Sequence, residues 1–260
     1  MKLDTILVQL TEHLPWVWTF FLVFTRFTML LLIVPGIGMG VQGLRIRIPA
    51  CMAFAGLACY AMETPQSIPS DLPVLLAMVT AEAFLGLVIG MIPLLAVSGA
   101  QMAGQLASTT MGLNAGNLID PTLGTPVSEL SRIYGSLLTI LFLYLGGHYT
   151  VIALASSTTG VLAPGEILTQ PFSAELIGQA SSKIFEAGVM ISAPVLVALL
   201  LTNFVMGIIS KAVPTINLFI VSFPLTVGIG LILTALALPE VMIYCHGLLA
   251  WVDQILMGIG

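Results

Sequence analysis

The chain has 260 residues, 58% of them hydrophobic and 7% charged, with a mean hydropathy of +1.10. So little polar surface cannot clothe a soluble globule, which excludes an ordinary soluble core and makes the chain a membrane protein. Seven Lys and Arg against twelve Asp and Glu give a formal charge of -5, arguing against nucleic acid as a partner and against a polybasic anchor for anionic lipid. At the N-terminus, Asp4, Glu12 and His13 precede the first apolar run and no small-residue cleavage site follows it. The first segment is therefore expected to remain in the mature chain rather than leave as a signal peptide.

At about 20 residues per crossing, six apolar helices are predicted. They are Trp16 to Pro35, Ile46 to Met62, Leu72 to Val97, Ile133 to Thr159, Ile184 to Ile209 and Leu218 to Leu238. A shorter stretch, Val241 to Met257, carries His246 and Asp253 and is expected to be an interfacial or packed C-terminal helix. The expected fold is an all-α membrane protein, with residues 1–260 as a single integral domain. Arg45 and Arg47 in the first loop, Arg132 at the end of the third and Lys211 in the fifth outnumber Lys2 and Lys183 on the other side. By the positive-inside rule this predicts odd-numbered loops in the cytoplasm and both termini in the periplasm.

Within the apolar runs, Pro93, Pro194 and Pro224 are predicted to kink their helices, because each lacks the backbone donor its helix needs. Gly86 and Gly90 form a small-xxx-small pair that Gly99, Ala100, Ala103 and Gly104 extend, a face that lets another helix approach closely. That helix belongs either to this chain or to a neighbouring subunit. Only Arg26 and Glu82 lie deep in apolar runs, where a charge costs roughly 2.5–3.5 kcal/mol on insertion scales. A salt bridge between the first and third helices accounts for both; an ion or proton pathway is the competing reading. Glu186 lies one turn into its helix, within reach of the interface. His148, after Gly146 and Gly147, has no second His or acid at ligand spacing, so a packing role is expected rather than a metal site.

No His-x-x-x-His, paired Asp motif, phosphate-cradling loop or nucleophile with a recognisable base is present, so neither catalytic residues nor cofactor or metal ligands are expected. Cys51, Cys59 and Cys245 are an odd number in apolar surroundings and read as small buried hydrophobes. Between two strongly apolar halves lies Gln101 to Ser131, rich in Gly, Thr, Ser and Asn, with Asp120 and Glu129 its only acids. Unpaired backbone cannot face lipid, so this segment must lie in water, inside protein or along an aqueous passage. Most Met residues read as core filler, but Met111 lies in this polar stretch.

Six motifs then follow in order over most of the chain: Arg26 with Pro35-Gly36, Arg45 and Arg47 opening the second helix, Glu82 with Gly86 and Gly90, the polar segment with Asp120-Pro121, Gly147-His148 followed by Ala193-Pro194, and Lys211 through Pro224. In this order they resemble the FliR family of flagellar biosynthesis proteins, whose relatives serve in virulence-type type III secretion. The resemblance implies a non-enzymatic subunit of the export gate in the bacterial inner membrane, at the flagellar basal body, through which unfolded flagellar subunits pass. It implies assembly with FliP-like and FliQ-like subunits into a helical ring, association of FlhB and FlhA, contact with membrane lipid, and a requirement for flagellum assembly. It also implies that the loop after the third helix plugs the channel. Here that loop corresponds to residues 107–125, centred on Met111, Gly112, Leu113, Asn114, Ala115, Gly116 and Asn117. Their short, uncharged side chains suit a narrow lumen that must not grip a passing polypeptide. Two positions depart from the family: Val41-Gln42-Gly43 lacks the usual Pro, and Lys211 replaces an Arg, a point charge for a bidentate donor. A small-solute secondary transporter using Arg26 and Glu82 at the midplane is the alternative, and a membrane scaffold without a passage is a third reading.

Overall fold

The computed structural model describes residues 2–36, 41–62, 64–113, 128–156, 164–165, 174–212 and 218–259. Among these the chain is all-helical: α1 (Lys2–Ile33), α2 (Val41–Ala61), α3 (Leu72–Met111), α4 (Glu129–Tyr144), α5 (Gly147–Ala155), α6 (Ala174–Ala212) and α7 (Leu218–Ile259). Four of them contain stretches long and apolar enough to cross a membrane, His13–Ile33, Leu72–Met111, Phe185–Ala212 and Val221–Pro239, and the bent α4–α5 pair would make a fifth.

Several boundaries differ from the sequence expectation. The predicted second span is a helix, but its first half carries Arg45, Arg47 and Pro49, and it is not among these stretches. The predicted fourth segment is broken: α4 and α5 meet at 67°, because Gly146 turns the chain at φ 80, a left-handed conformation that glycine adopts without a Cβ penalty. The third helix does not stop near Val97 but runs 40 residues to Met111, about 60 Å at 1.5 Å per residue and twice a hydrocarbon core. Leu106, Ala107 and Ser108 have no helix-breaking chemistry, so the polar segment begins as helix. The expected C-terminal helix is present as the part of α7 beyond Pro239, continuous with the span before it. Pro93, Pro194 and Pro224 all lie inside helices that continue through them, as do Pro15, Pro49 and Pro239.

The chain forms two compact units, Met1–Leu94 with Phe142–Ile177 and Trp251–Gly260, and Leu95–Leu141 with Gly178–Ala250. In the first, α1 packs on α2 and α5. Its buried positions are Thr19, Leu22, Val23, Arg26, Phe27, Leu30 and Leu31, the i, i+3, i+4, i+7 stripe of one helix face. Val17, Phe21 and Leu32 on the other face are exposed, and a helix apolar all round suits lipid outside and protein inside. Phe27 stacks on Phe54 with ring centroids 5.6 Å apart, and Gln66 donates its amide to Thr19 Oγ1 at 2.8 Å, tying the link after α2 back to α1.

In the second unit, α3 buries Ala96, Ala100, Ala103 and Ala107, small residues one helical turn apart that let α4 come close. A Cβ at Gly104 would stand 2.7 Å from Leu130 O, and one at Gly135 2.6 Å from Gln101 Cγ. Ala187, Ile191, Val195 and Leu199 form the buried face of α6, whose Gly188 abuts Met102.

Candidate functional site

Two polar centres stand out, one in each unit. In the first unit, Arg26 lies in the middle of the buried stripe of α1 and Glu82 on α3, both side chains 0% exposed, with Arg26 Nε 2.6 Å from Glu82 Oε2. Arg26 Nη1 also donates to Ala155 O at 3.3 Å, and the second carboxylate oxygen of Glu82 accepts the Gly165 amide at 2.7 Å. One turn beyond Glu82, a Cβ at Gly86 would collide with the Arg26 carbonyl, and at Gly90 it would stand 3.1 Å from Leu30 O. The small-xxx-small pair is thus used within the chain: bare backbone on α3 lets α1 approach until Arg26 reaches Glu82. Burying both charges is favourable only when each is hydrogen-bonded as well as paired. The backbone groups of Ala155 and Gly165 supply such bonds, joining α1, α3, α5 and the turn at 164–165.

In the second unit, the polar segment is held at both ends. Gly112 N donates to Thr109 O at 3.0 Å and Leu113 N to Ser108 O at 3.1 Å, the paired bonds of a Schellman motif, with Gly112 at φ 82 as its left-handed residue. Met111, 1% exposed, is the last residue of α3 and packs on Gly230 of α7, while the Phe223 ring faces Gly112. At the far end Ser128 caps α4, its Oγ accepting Ser131 N at 3.2 Å. Ser128 N donates to Gln105 Oε1 at 3.1 Å, and Ser131 Oγ donates to Gln101 O at 2.8 Å.

Of the residues singled out in the sequence, Arg26, Glu82, Gly86 and Gly90 come together. Met111 and Gly112 lie at a helix end and Leu113 is exposed just beyond it, while Asn114, Ala115, Gly116 and Asn117 lie outside the described residues. Glu186 pairs with Lys183 at 2.5 Å, both partly exposed, and holds that ammonium above the usual lysine range. His148 packs its ring against Tyr149, centroids 4.0 Å apart. The three cysteines are free and buried. Among the described residues no three His, Cys, Asp or Glu side chains group as metal ligands would.

Gln105, Ser128, Thr226 and Gly230 were not singled out from the sequence. Ser128 had a usable signal, a cap residue followed by an acid in the first helical turn; Thr226 and Gly230 had none, since their partner is more than 100 residues away.

Residues 17–251 match the family model of bacterial export proteins, family 1. The flagellar biosynthetic protein FliR of Escherichia coli (strain K12) is 28% identical over 198 residues, covering 74% of this chain and 76% of that protein. FliR of Caulobacter vibrioides is 27% identical over 234 residues, 90% and 91% of the two chains. The secretion system apparatus protein SsaT of Salmonella typhimurium is 22% identical over 153 residues, 58% of each.

Proposed function

The chain belongs to family 1 of the bacterial export proteins, and from that premise we propose that it is a multi-pass inner-membrane subunit of the flagellar type III protein export gate. Its role is structural rather than enzymatic: it helps form and plug the channel through which unfolded flagellar subunits leave the cell, and flagellum assembly requires it. FliP-like and FliQ-like subunits complete the ring, FlhB and FlhA associate with it, and the complex belongs to the basal body. The observation that carries the reading is the family match over residues 17–251, together with likeness to a flagellar FliR over 90% of this chain and 91% of that one. The polar segment, with its centre at Met111 to Asn117, is the plug. Two features support it: the stretch is nearly uncharged, and both its ends are hydrogen-bonded to α3.

Arg26 and Glu82, which a small-solute transporter would hold open to its substrate, are engaged with each other and with backbone, so the transporter reading finds no support.

Purification of the tagged full chain from its native membrane, with identification of the bound chains, tests the assignment. Co-purification of the other gate subunits is expected, together with loss of flagella when the gene is deleted. Isolation of the chain as an active homo-oligomer without those subunits, together with normal flagella on the deletion cells, would overturn it.

A further inference from the structure

The first unit carries an exposed face on α1 and α2 that is sorted along its length. Phe27 stacks on Phe54 and Gln66 reaches Thr19, so the two helices run antiparallel, and α2 ends toward the part of α1 that carries Trp16 and Trp18. On α2, Ile46, Pro49, Ala53, Leu57 and Tyr60 are exposed, at the i, i+3, i+7, i+11 and i+14 positions of one helix face. Leu57 is 67% and Tyr60 91% exposed, and a Cβ at Gly56 would meet nothing within 4 Å. Arg45 and Arg47 stand at one end of this face and Tyr60 at the other. On α1, Val17, Phe21 and Leu32 are exposed. The Thr25 and Thr28 hydroxyls donate to carbonyls of their own helix, Phe21 O at 2.9 Å and Phe24 O at 2.7 Å, so they need no water.

Such sorting fits a bilayer, which sets a polar layer at each edge of an apolar slab; a protein partner requires no such order. From Arg45 to Tyr60, α2 rises about 22 Å at 1.5 Å per residue, against a hydrocarbon core of about 30 Å. Helix side chains lean toward the N-terminus, so from the first turns of α2 the arginine stems extend outward and lengthen its reach. Tyr and Trp suit the other boundary, where one end of a ring is apolar and the other wet. We propose that phospholipid covers this α1–α2 face, with Arg45 and Arg47 at the phosphates of one leaflet and Trp16, Trp18 and Tyr60 at the headgroups of the other. α2 thus crosses the bilayer although it is not among the stretches long and apolar enough by composition, because its arginines lie at one end and need not enter the hydrocarbon. By the positive-inside rule the arginine end is cytoplasmic. This rests on the inner-membrane placement proposed above.

The test uses the assembled, co-purified complex in proteoliposomes. Cys51, Cys59 and Cys245 are replaced by Ala, and a spin label is placed on one introduced thiol at a time: Ile46→Cys, Ala53→Cys, Leu57→Cys or Ala61→Cys. Oxygen concentrates in hydrocarbon and a nickel chelate stays in water, so the ratio of their effects on the label reports depth. The ratio is expected to be highest at positions 53 and 57 and to fall toward 46 and 61. R45E/R47E, which sets like charge against phosphate, is expected to shift position 46 further toward the chelate; an unmoved ratio there overturns the phosphate contact. Shielding of positions 53 and 57 from both reagents would put a protein partner on this face, and equal exposure of all four to the chelate would put it in water. Either result overturns the inference and leaves the membrane placement standing. Release of the complex from native membranes by alkaline carbonate would overturn that placement and this inference with it. Should the cysteine-free chain fail to assemble, a photoreactive benzoylphenylalanine in place of Leu57 in the otherwise unaltered chain decides: cross-links to lipid uphold the proposal, and cross-links to protein alone sink it.

Discussion

The Arg26–Glu82 centre and the footings of the polar segment both satisfy hydrogen-bonding groups away from water, but with different chemistry. The first uses two full charges with side chains 0% exposed; the second uses an amide, hydroxyls and carbonyls. A buried charge that loses its partner costs several kcal/mol, whereas a neutral hydrogen bond contributes a net of about 1 kcal/mol. The charged centre is therefore a pin, the costlier of the two to open. The neutral seam is a set of weaker ties.

The comparison breaks most readily at the pin. Glu82→Ala leaves Arg26 buried without its carboxylate, and a loss of about 3–5 kcal/mol is expected, read as a lowered thermal midpoint of the purified complex. The pair Arg26→Met with Glu82→Leu should recover most of that loss. It should not recover all, because the Gly165 amide still lacks its acceptor, at about 1–3 kcal/mol. Equal midpoints for the single and double variants would mean that the charges do not pin one another.

Next in size is the seam that lets the pin form. Gly86→Ala sets a methyl group against the Arg26 carbonyl and is expected to cost about 1–3 kcal/mol. Gly90→Ala meets Leu30 O at 3.1 Å and should cost visibly less in the same melt; the reverse order would misplace α1 on α3.

At the footings the effects shrink. Gly112→Ala must hold φ 82, a strain of about 1–2 kcal/mol, and Gly112→Asn should be milder because Asn tolerates that conformation. Indistinguishable melts for the two would argue against the left-handed turn. Smallest of all is Lys183→Gln, which removes a partly exposed i,i+3 pair and is expected to shift stability by no more than about 0.5 kcal/mol. A larger change, insensitive to salt, would show the pair to be shielded from water.

Much of the pin is legible in the sequence. Two charges in apolar runs demand partners, and Gly86 and Gly90, four and eight residues after Glu82, mark the α3 face on which α1 lies. What could not be read was the role of Gly165, whose bond to Glu82 spans 83 residues, since a backbone amide carries no side-chain signature. The polar segment was legible as an anomaly, but its helical beginning was not. Gln101 to Met111 sets good helix formers, Ala, Leu, Met and Gln, among Gly, Ser and Thr, and they continue α3 where Ala103, Ala107 and Met111 are buried. The break at Gly146 was hidden in the same way: glycine permits a turn without requiring one.

Composition and the lengths of the apolar runs by themselves determined that this is an all-α membrane chain, because hydrophobicity and run length are local properties of the residues. The order of motifs added the family. Tertiary structure alone decided where α3 ends, which backbone groups complete the Arg26–Glu82 pair, and that both ends of the polar segment are fastened to one helix. Each of these depends on groups far apart in the chain meeting at hydrogen-bond distance, and only the folded arrangement of helices sets such meetings.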